Sequence, residues 1–263
     1  MINDADEQIL KTTDTSLAIV DAIKEQNGAQ LSEIVDSLDI ARSTAHDHLT
    51  TLANRGYITK ERNVYHLGFR FLNLGKDVKY RHPGYKFAEK LISEYTRKVN
   101  AVIDFNVEDS GRVIRLYSSS SSHPDHQIID PSHQIGQYYH MHNTSTGKAI
   151  LAAQSDDIVE QVIKMWGLPR ETERTITEHE ALFDELEQIR KQGYAINDRE
   201  HDMGIRAVGM AIQNPGGGIF GALSIGGPTY RISNDVLRED VSETLSDLVT
   251  DLEKELYEIA LNQ

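Results

Sequence analysis

Apolar side chains recur at helical spacing through residues 13–26, where Leu17, Ile19, Val20 and Ile23 make one stripe. That stripe predicts an amphipathic helix with Asp14 as its N-cap and Gly28 as its stop. A second short helix follows, capped by Ser32 and facing inward through Ile34, Val35 and Leu38, before Asp39 and Ile40 make a turn. A third runs over residues 42–55 with Ala45, Leu49 and Leu52 on one face, and Gly56 closes it. The period then changes. Two β-rich runs, residues 57–60 and 64–67, flank the polar turn Glu61, Arg62, Asn63, and together they predict a hairpin. Short helices followed at once by a hairpin predict a winged helix-turn-helix, with the third helix shaped for the major groove of a duplex and the hairpin as its wing.

Residues 69–100 keep a mostly helical pattern, broken at His82, Pro83 and Gly84, and read as connecting helices. Beyond them, residues 101–107 and 113–117 flank Asp109, Ser110 and Gly111 as a second hairpin, with a polar loop over residues 118–125. Helical patterns cover residues 145–154, 156–166 and 179–192, and strand patterns cover residues 194–197, 206–213 and 219–225. Pro215, Gly216, Gly217 and Gly218 form the turn between the last two strands, and a final amphipathic helix fills residues 234–261. The expected organisation is a tail (1–12), a winged helix-turn-helix (13–68), connecting helices (69–100) and an antiparallel sheet flanked by helices (101–263), an α+β chain overall.

Composition narrows the chemistry. The 263 residues are 39% hydrophobic, enough for one large domain or two modest ones with their own cores, and hold no cysteine, which excludes disulfides, thiolate metal sites and a cysteine nucleophile. No apolar run is long enough to span a bilayer, so a soluble cytoplasmic protein with no membrane partner is expected. The net charge of -14 would argue against a polyanionic partner, but it is unevenly distributed. Residues 40–81 carry eight basic residues against three acids, a local +5 that coincides with the third helix and the wing. Ser43, Thr44, Asp47 and His48 fall on the open face of that helix, Arg42 and His46 beside them, and Arg62 and Asn63 at the wing tip can reach a phosphate or the minor groove. The acidic excess elsewhere suits either a cytoplasm of high ionic strength or an ordinary acidic protein.

These residues resemble a known family. Ser16-Leu17-Ala18-Ile19-Val20-Asp21-Ala22, Leu31-Ser32-Glu33-Ile34, Arg42-Ser43-Thr44-Ala45-His46, Arg55-Gly56-Tyr57-Ile58 and Tyr65-His66-Leu67-Gly68 resemble the DNA-binding half of IclR-type regulators. His142-Asn143-Thr144-Ser145-Thr146-Gly147-Lys148-Ala149, Gly167-Leu168-Pro169, Arg174-Thr175-Ile176-Thr177, Gln192-Gly193-Tyr194-Ala195, Gly204-Ile205-Arg206 and Ser224-Ile225-Gly226-Gly227-Pro228 are similar, in order, to its effector half. The likeness covers nearly the whole chain and is weakest over residues 107–139.

The resemblance implies a homodimer or homotetramer that binds operator DNA, and whose binding or recruitment of polymerase changes with a small effector, an organic or sugar acid. It implies a GAF-like effector domain with a pocket lined by Tyr139, Ser145, Thr146, Asn197, Asp198, Ala207, Ser224 and Gly226. The start of the helix at Ser145 would hold an anion there. Two departures stand out: the family often has a small Gly-Ala pair where this chain has Ser145 and Thr146, and a basic residue near the position of Asp47. No catalytic residue, metal ligand or cofactor is implied.

Other readings stay open on the residues alone. Residues 197–202 (Asn197, Asp198, Arg199, Glu200, His201, Asp202) have the composition of an acid-base or metal cluster and would suit an enzyme acting on a small acid. Strand alternation sends their side chains to opposite faces, against convergence. His123, His126, His133, His140 and His142 lack compact zinc spacing. Lys148 is either an anion partner or a surface helix lysine. A sensor that signals to a protein partner is a further alternative.

Overall fold

Alternating burial around each helix explains the first third of the chain. The computed structural model describes residues 9–97, 99, 101–120, 135–232 and 241–262, in two units that divide between Arg81 and His82. Most of the expected tail, residues 234–240 of the expected last helix, and His123, His126 and His133 lie outside the described residues.

In the first unit, α1 (Lys11–Glu25), α2 (Leu31–Leu38) and α3 (Arg42–Asn54) bury Ile19, Ile23, Ile34 and Leu49 against Ile58 and Tyr65 of a small sheet. Each such aliphatic side chain removed from water contributes about 1.5–3 kcal/mol. The sheet is β1 (Ala29–Gln30), β2 (Ile58–Glu61) and β3 (Val64–Leu67), antiparallel in the order β1-β3-β2. Strand β1 is too short to have a period and was not expected from sequence. Asp14 lies inside the first turn of α1, whose N-cap is Leu10 with no side-chain cap. The cap of α2 is Gln30 rather than Ser32: a capping box forms in which the Gln30 N–H donates to Glu33 Oε2 at 2.6 Å. Asp39 ends α2 in the left-handed conformation (φ 49°), which turns the chain into α3. Helix α4 (Arg70–Lys79) buries none of its residues within this unit.

The second unit begins with α5 (Pro83–Thr96), where Pro83 sits in the first turn and His82 Nδ1 accepts the Gly84 N–H at 3.1 Å. Its sheet contains β4 (Val102–Asp109), β5 (Arg112–Ser120), β6 (Tyr138–Tyr139), β7 (Ala195–Asp198), β8 (Ile205–Gln213) and β9 (Ile219–Pro228). All pairings are antiparallel, in the order β6-β5-β4-β9-β8-β7. The expected polar loop over residues 118–125 gives way at its start: Ser118, Ser119 and Ser120 are buried and pair with Asp104, Ile103 and Val102, because ladder hydrogen bonds outweigh side-chain polarity.

Strand alternation divides the sheet into two faces. Ile103, Phe105, Val208, Ile225 and their neighbours pack under α5 and under α9 (Ser242–Leu261), which contributes Leu245, Leu248 and Leu252. The opposite face is covered by α6 (Ser145–Ala152), α7 (Asp156–Trp166) and α8 (His179–Gln192) through Ile150, Val159, Leu182 and Leu186. A six-stranded antiparallel sheet between helical layers is the α+β arrangement expected from sequence.

Candidate functional site

Helix α3 buries Ala45 and Leu49, so the residues between them face solvent. Arg42, Ser43, Thr44, His46 and Asp47 are exposed, as are Arg62 and Asn63 at the wing tip, where Arg62 adopts φ 58°. His48 departs from this face: it is partly buried, and its Nδ1 lies 2.7 Å from Ser16 Oγ on α1. Behind the wing, the Arg70 guanidinium stacks over Tyr57 at 4.8 Å and donates to the Arg55 carbonyl at 3.1 Å, which ties the start of α4 to the end of α3. Sequence reasoning did not single out this link.

In the second unit a cavity of about 80 Å³ opens between the first turn of α6 and the sheet. Its position follows from local sequence. Thr144 is the N-cap of α6, its Oγ1 accepting the Gly147 N–H at 3.2 Å, and the Thr144 carbonyl accepts from Lys148. The helix itself has no acceptors for the Ser145 and Thr146 N–H groups, and these carry the positive end of the helix dipole. Two glycines allow the close approach. A Cβ on Gly147 would lie 2.3 Å from the Met141 carbonyl oxygen, and one on Gly209 of β8 would lie 2.6 Å from the Ser145 carbonyl carbon.

Of the residues expected to line a pocket, the structure brings Tyr139, Ser145, Thr146, Asn197, Ala207, Ser224 and Gly226 to the cavity wall. Asp198 is not among the lining residues. Its carboxylate accepts from Arg206 Nε at 2.6 Å, Arg174 Nη1 at 2.8 Å and Arg199 Nε at 3.1 Å. Burial alone would raise its pKa, but the hydrogen bonds and charges of Arg199 and Arg206 prevail and hold it at about 2.

The cavity also gains residues that the sequence reading missed. Asp104 and Asn106 of β4 and Arg115 of β5 line it, together with His201 and Asp202 after β7. Arg115 is buried, with Nη2 3.1 Å from Asp104 Oδ2 and its guanidinium 4.8 Å from the centre of the Tyr139 ring. Asp104 also accepts from Ser118 Oγ. Burial pushes the Tyr139 hydroxyl up to about 12, with Arg115 opposing and Asp104 adding, so that it stays protonated near neutrality. In sequence, Asp104 and Asn106 alternate with Ile103, Phe105 and Val107, which reads as an ordinary solvent-facing strand edge.

Residues 197–202 divide between sites. Asn197, His201 and Asp202 line the cavity, Asp198 meets its arginines, and His201 Nδ1 also pairs with the Glu171 carboxylate. Glu200 turns to Lys148, whose Nζ lies 2.8 Å from both Glu185 Oε1 and Glu200 Oε1. Lys148 is 1% exposed, and is therefore neither a surface lysine nor a cavity cation but the buried centre of an ion triad with the buried Glu200 and the partly exposed Glu185. Burial raises the Glu200 pKa while Lys148 opposes it. Burial also lowers His140 and His142, and His142 Nε2 lies 3.1 Å from the Pro169 carbonyl. Among the described residues no group of three or more acidic, histidine or cysteine side chains is placed to hold a metal, and no helix is long and apolar enough to cross a membrane.

Comparison with known proteins agrees with both halves. The family described as the IclR helix-turn-helix domain matches residues 12–62, and that described as the bacterial transcriptional regulator IclR C-terminal matches residues 82–254. The acetate operon repressor of Salmonella typhimurium is 32% identical over 85% of this chain and 82% of its own length. The crystal structure of IclR from Thermotoga maritima superposes with a TM-score of 0.74 at 23% identity, covering 93% of this chain and 98% of that one. The inducer-binding domain of a double mutant of PobR from Acinetobacter, solved with 3-hydroxybenzoic acid, gives a TM-score of 0.59 at 24% identity over 64% of this chain and 96% of that domain.

Proposed function

This chain belongs to the IclR family of bacterial transcriptional regulators, and from that membership we propose that it is a ligand-gated switch on operator DNA. It regulates transcription through its DNA-binding helix-turn-helix domain and is not an enzyme. In the proposed reading, residues 13–68 bind the operator, residues 69–100 connect, and residues 101–263 hold the effector. The protein works in the cytoplasm as a homodimer or homotetramer, since paired half-sites call for an even number of recognition helices. Arg42, Ser43, Thr44, His46 and Asp47 meet the major groove and Arg62 and Asn63 the flanking backbone. His48 supports the helix from behind through Ser16.

The effector is a small organic acid bound in the cavity at the start of α6. One observation carries this reading: Ser145 and Thr146, whose N–H groups open α6 without acceptors in the helix, line the cavity, so the positive end of the helix dipole lies at its wall. That placement favours a carboxylate. Its size, about 80 Å³, is well below the roughly 300–1,000 Å³ typical of drug-sized ligands. The aromatic acid in the PobR structure gives the same ligand class on a related fold. Effector binding shifts operator affinity by the roughly 1–3 kcal/mol usual for coupled sites.

Calorimetry of the whole protein with organic and sugar acids, followed by gel-shift titration with and without the best binder, tests both steps. A bound acid that moves operator affinity by about tenfold or more is the expected result. Acids that bind without changing operator affinity would remove the switch and leave only a DNA-binding protein.

A further inference from the structure

The polar residues of β4 and β5 form a second pole in the cavity, separate from the start of α6. Asn106 pairs across the strands with Arg115 and is 4% exposed. One end of its amide lies 2.8 Å from Thr146 Oγ1, while Oδ1 is buried without a hydrogen-bond partner among the described residues, on a residue that lines the cavity. An orphaned amide end in so dry a position is destabilising unless a ligand or solvent group meets it. Charges of both signs flank it: the Arg115 guanidinium, and the Asp104 carboxylate 3.1 Å from that guanidinium.

We propose that this pole selects hydroxylated acids, the carboxylate docking on the N–H groups that open α6 and an aliphatic hydroxyl docking on Asn106. The proposal rests on the small-acid reading above and sharpens it. A hydroxyl both donates and accepts, so it satisfies the free end of the Asn106 amide whichever way the amide is turned. A methylene at the same place satisfies neither end. A second carboxylate meets Asp104, and Arg115 is already compensated by that acid. An ammonium meets Arg115. The neutral, two-way hydrogen-bonding group is the one that neither charge repels.

Calorimetry on the full chain with matched acids tests this: glycerate, erythronate and gluconate against their deoxy counterparts (propanoate, butanoate, hexanoate), their dicarboxylates (malonate, succinate, adipate) and alanine. At least one hydroxy acid should bind about tenfold or more tightly than its matched analogues, since a site built around a hydroxyl strongly rejects the ligand lacking it. Asn106→Leu should abolish that preference, the hydroxy acid and its deoxy counterpart then binding alike. Asp104→Asn, which keeps the side-chain shape, should improve dicarboxylate binding and serves if the first variant does not fold. A deoxy acid, dicarboxylate or amino acid that binds as tightly as the hydroxy acid overturns the proposal, as does a hydroxyl preference that survives Asn106→Leu. If none of these acids binds while operator binding persists, the small-acid reading fails together with it.

Discussion

Lys148 Nζ on α6 lies 2.8 Å from Glu200 Oε1 in the segment after β7, and both side chains are buried. Glu200 in turn is fixed by its backbone, whose carbonyl accepts from Thr175 Oγ1 at 2.7 Å and whose N–H donates to Asn197 Oδ1 at 2.9 Å. The next two residues, His201 and Asp202, line the cavity. The ion pair therefore joins the helix that opens the cavity to the segment that walls it.

Lys148→Met should destabilise the second unit by about 3–5 kcal/mol, because it strands the buried Glu200 carboxylate beside an apolar side chain and unpairs the partly exposed Glu185. Urea unfolding measures this. Adding Glu200→Gln to the same protein should recover part of the loss, since it removes the stranded charge. A single variant as stable as the wild type would mean that the triad contributes no net attraction.

Asp198 gives a pH dependence of known sign. Its carboxyl is held at about 2, below the ordinary 3.8, so the folded state binds its proton less readily than the unfolded state does. The stability it contributes is present above pH 3.8 and is lost as pH falls toward 2. Asp198→Asn should cost on the order of 1 kcal/mol at neutral pH, a figure reduced for its partial exposure. Chemical unfolding of both proteins across acid pH should show the gap closing. A gap that stays constant down to pH 2 would assign the effect to the arginines and not to this carboxylate.

Gly209→Ala probes the packing of β8 against α6. The new methyl would lie 2.6 Å from the Ser145 carbonyl carbon, which is backbone and cannot step aside cheaply. The expected cost is about 1–3 kcal/mol. Acid binding should weaken with it, because the start of α6 is pushed off the sheet. Unchanged melting temperature and unchanged acid affinity would show that the two elements have slack.

Arg42→Ala combined with Arg62→Ala should weaken operator binding and flatten its dependence on salt, by about one unit of slope for each phosphate that is no longer neutralised. Acid affinity should stay as it was. Gel-shift titrations at several salt concentrations measure the slope, and an unaltered slope would take both arginines out of the interface.

Periodicity alone placed the first unit well. Ala45 and Leu49 on α3 and the short runs around Arg62 specify a winged helix-turn-helix, because each element is amphipathic and its neighbours in sequence are its neighbours in space. Family strings led to seven of the cavity residues, but spacing could not exclude Asp198, whose outward turn depends on where Arg174 and Arg206 lie. Lys148 was ambiguous for the same reason: its two carboxylate partners are 37 and 52 residues away.

The sequence by itself determined the order of the helices and of the longer strands, though not the two-residue strands β1 and β6, together with the basic island and the family, since these depend on local propensity, period and motif. Tertiary structure decided what the polar side of β4 is for. Alternation puts Asp104 and Asn106 opposite Ile103 and Phe105, but only the layer of α6, α7 and α8 over that face turns it from a wetted surface into a cavity wall. Burial depends on what covers a strand, and a strand's own residues do not record it.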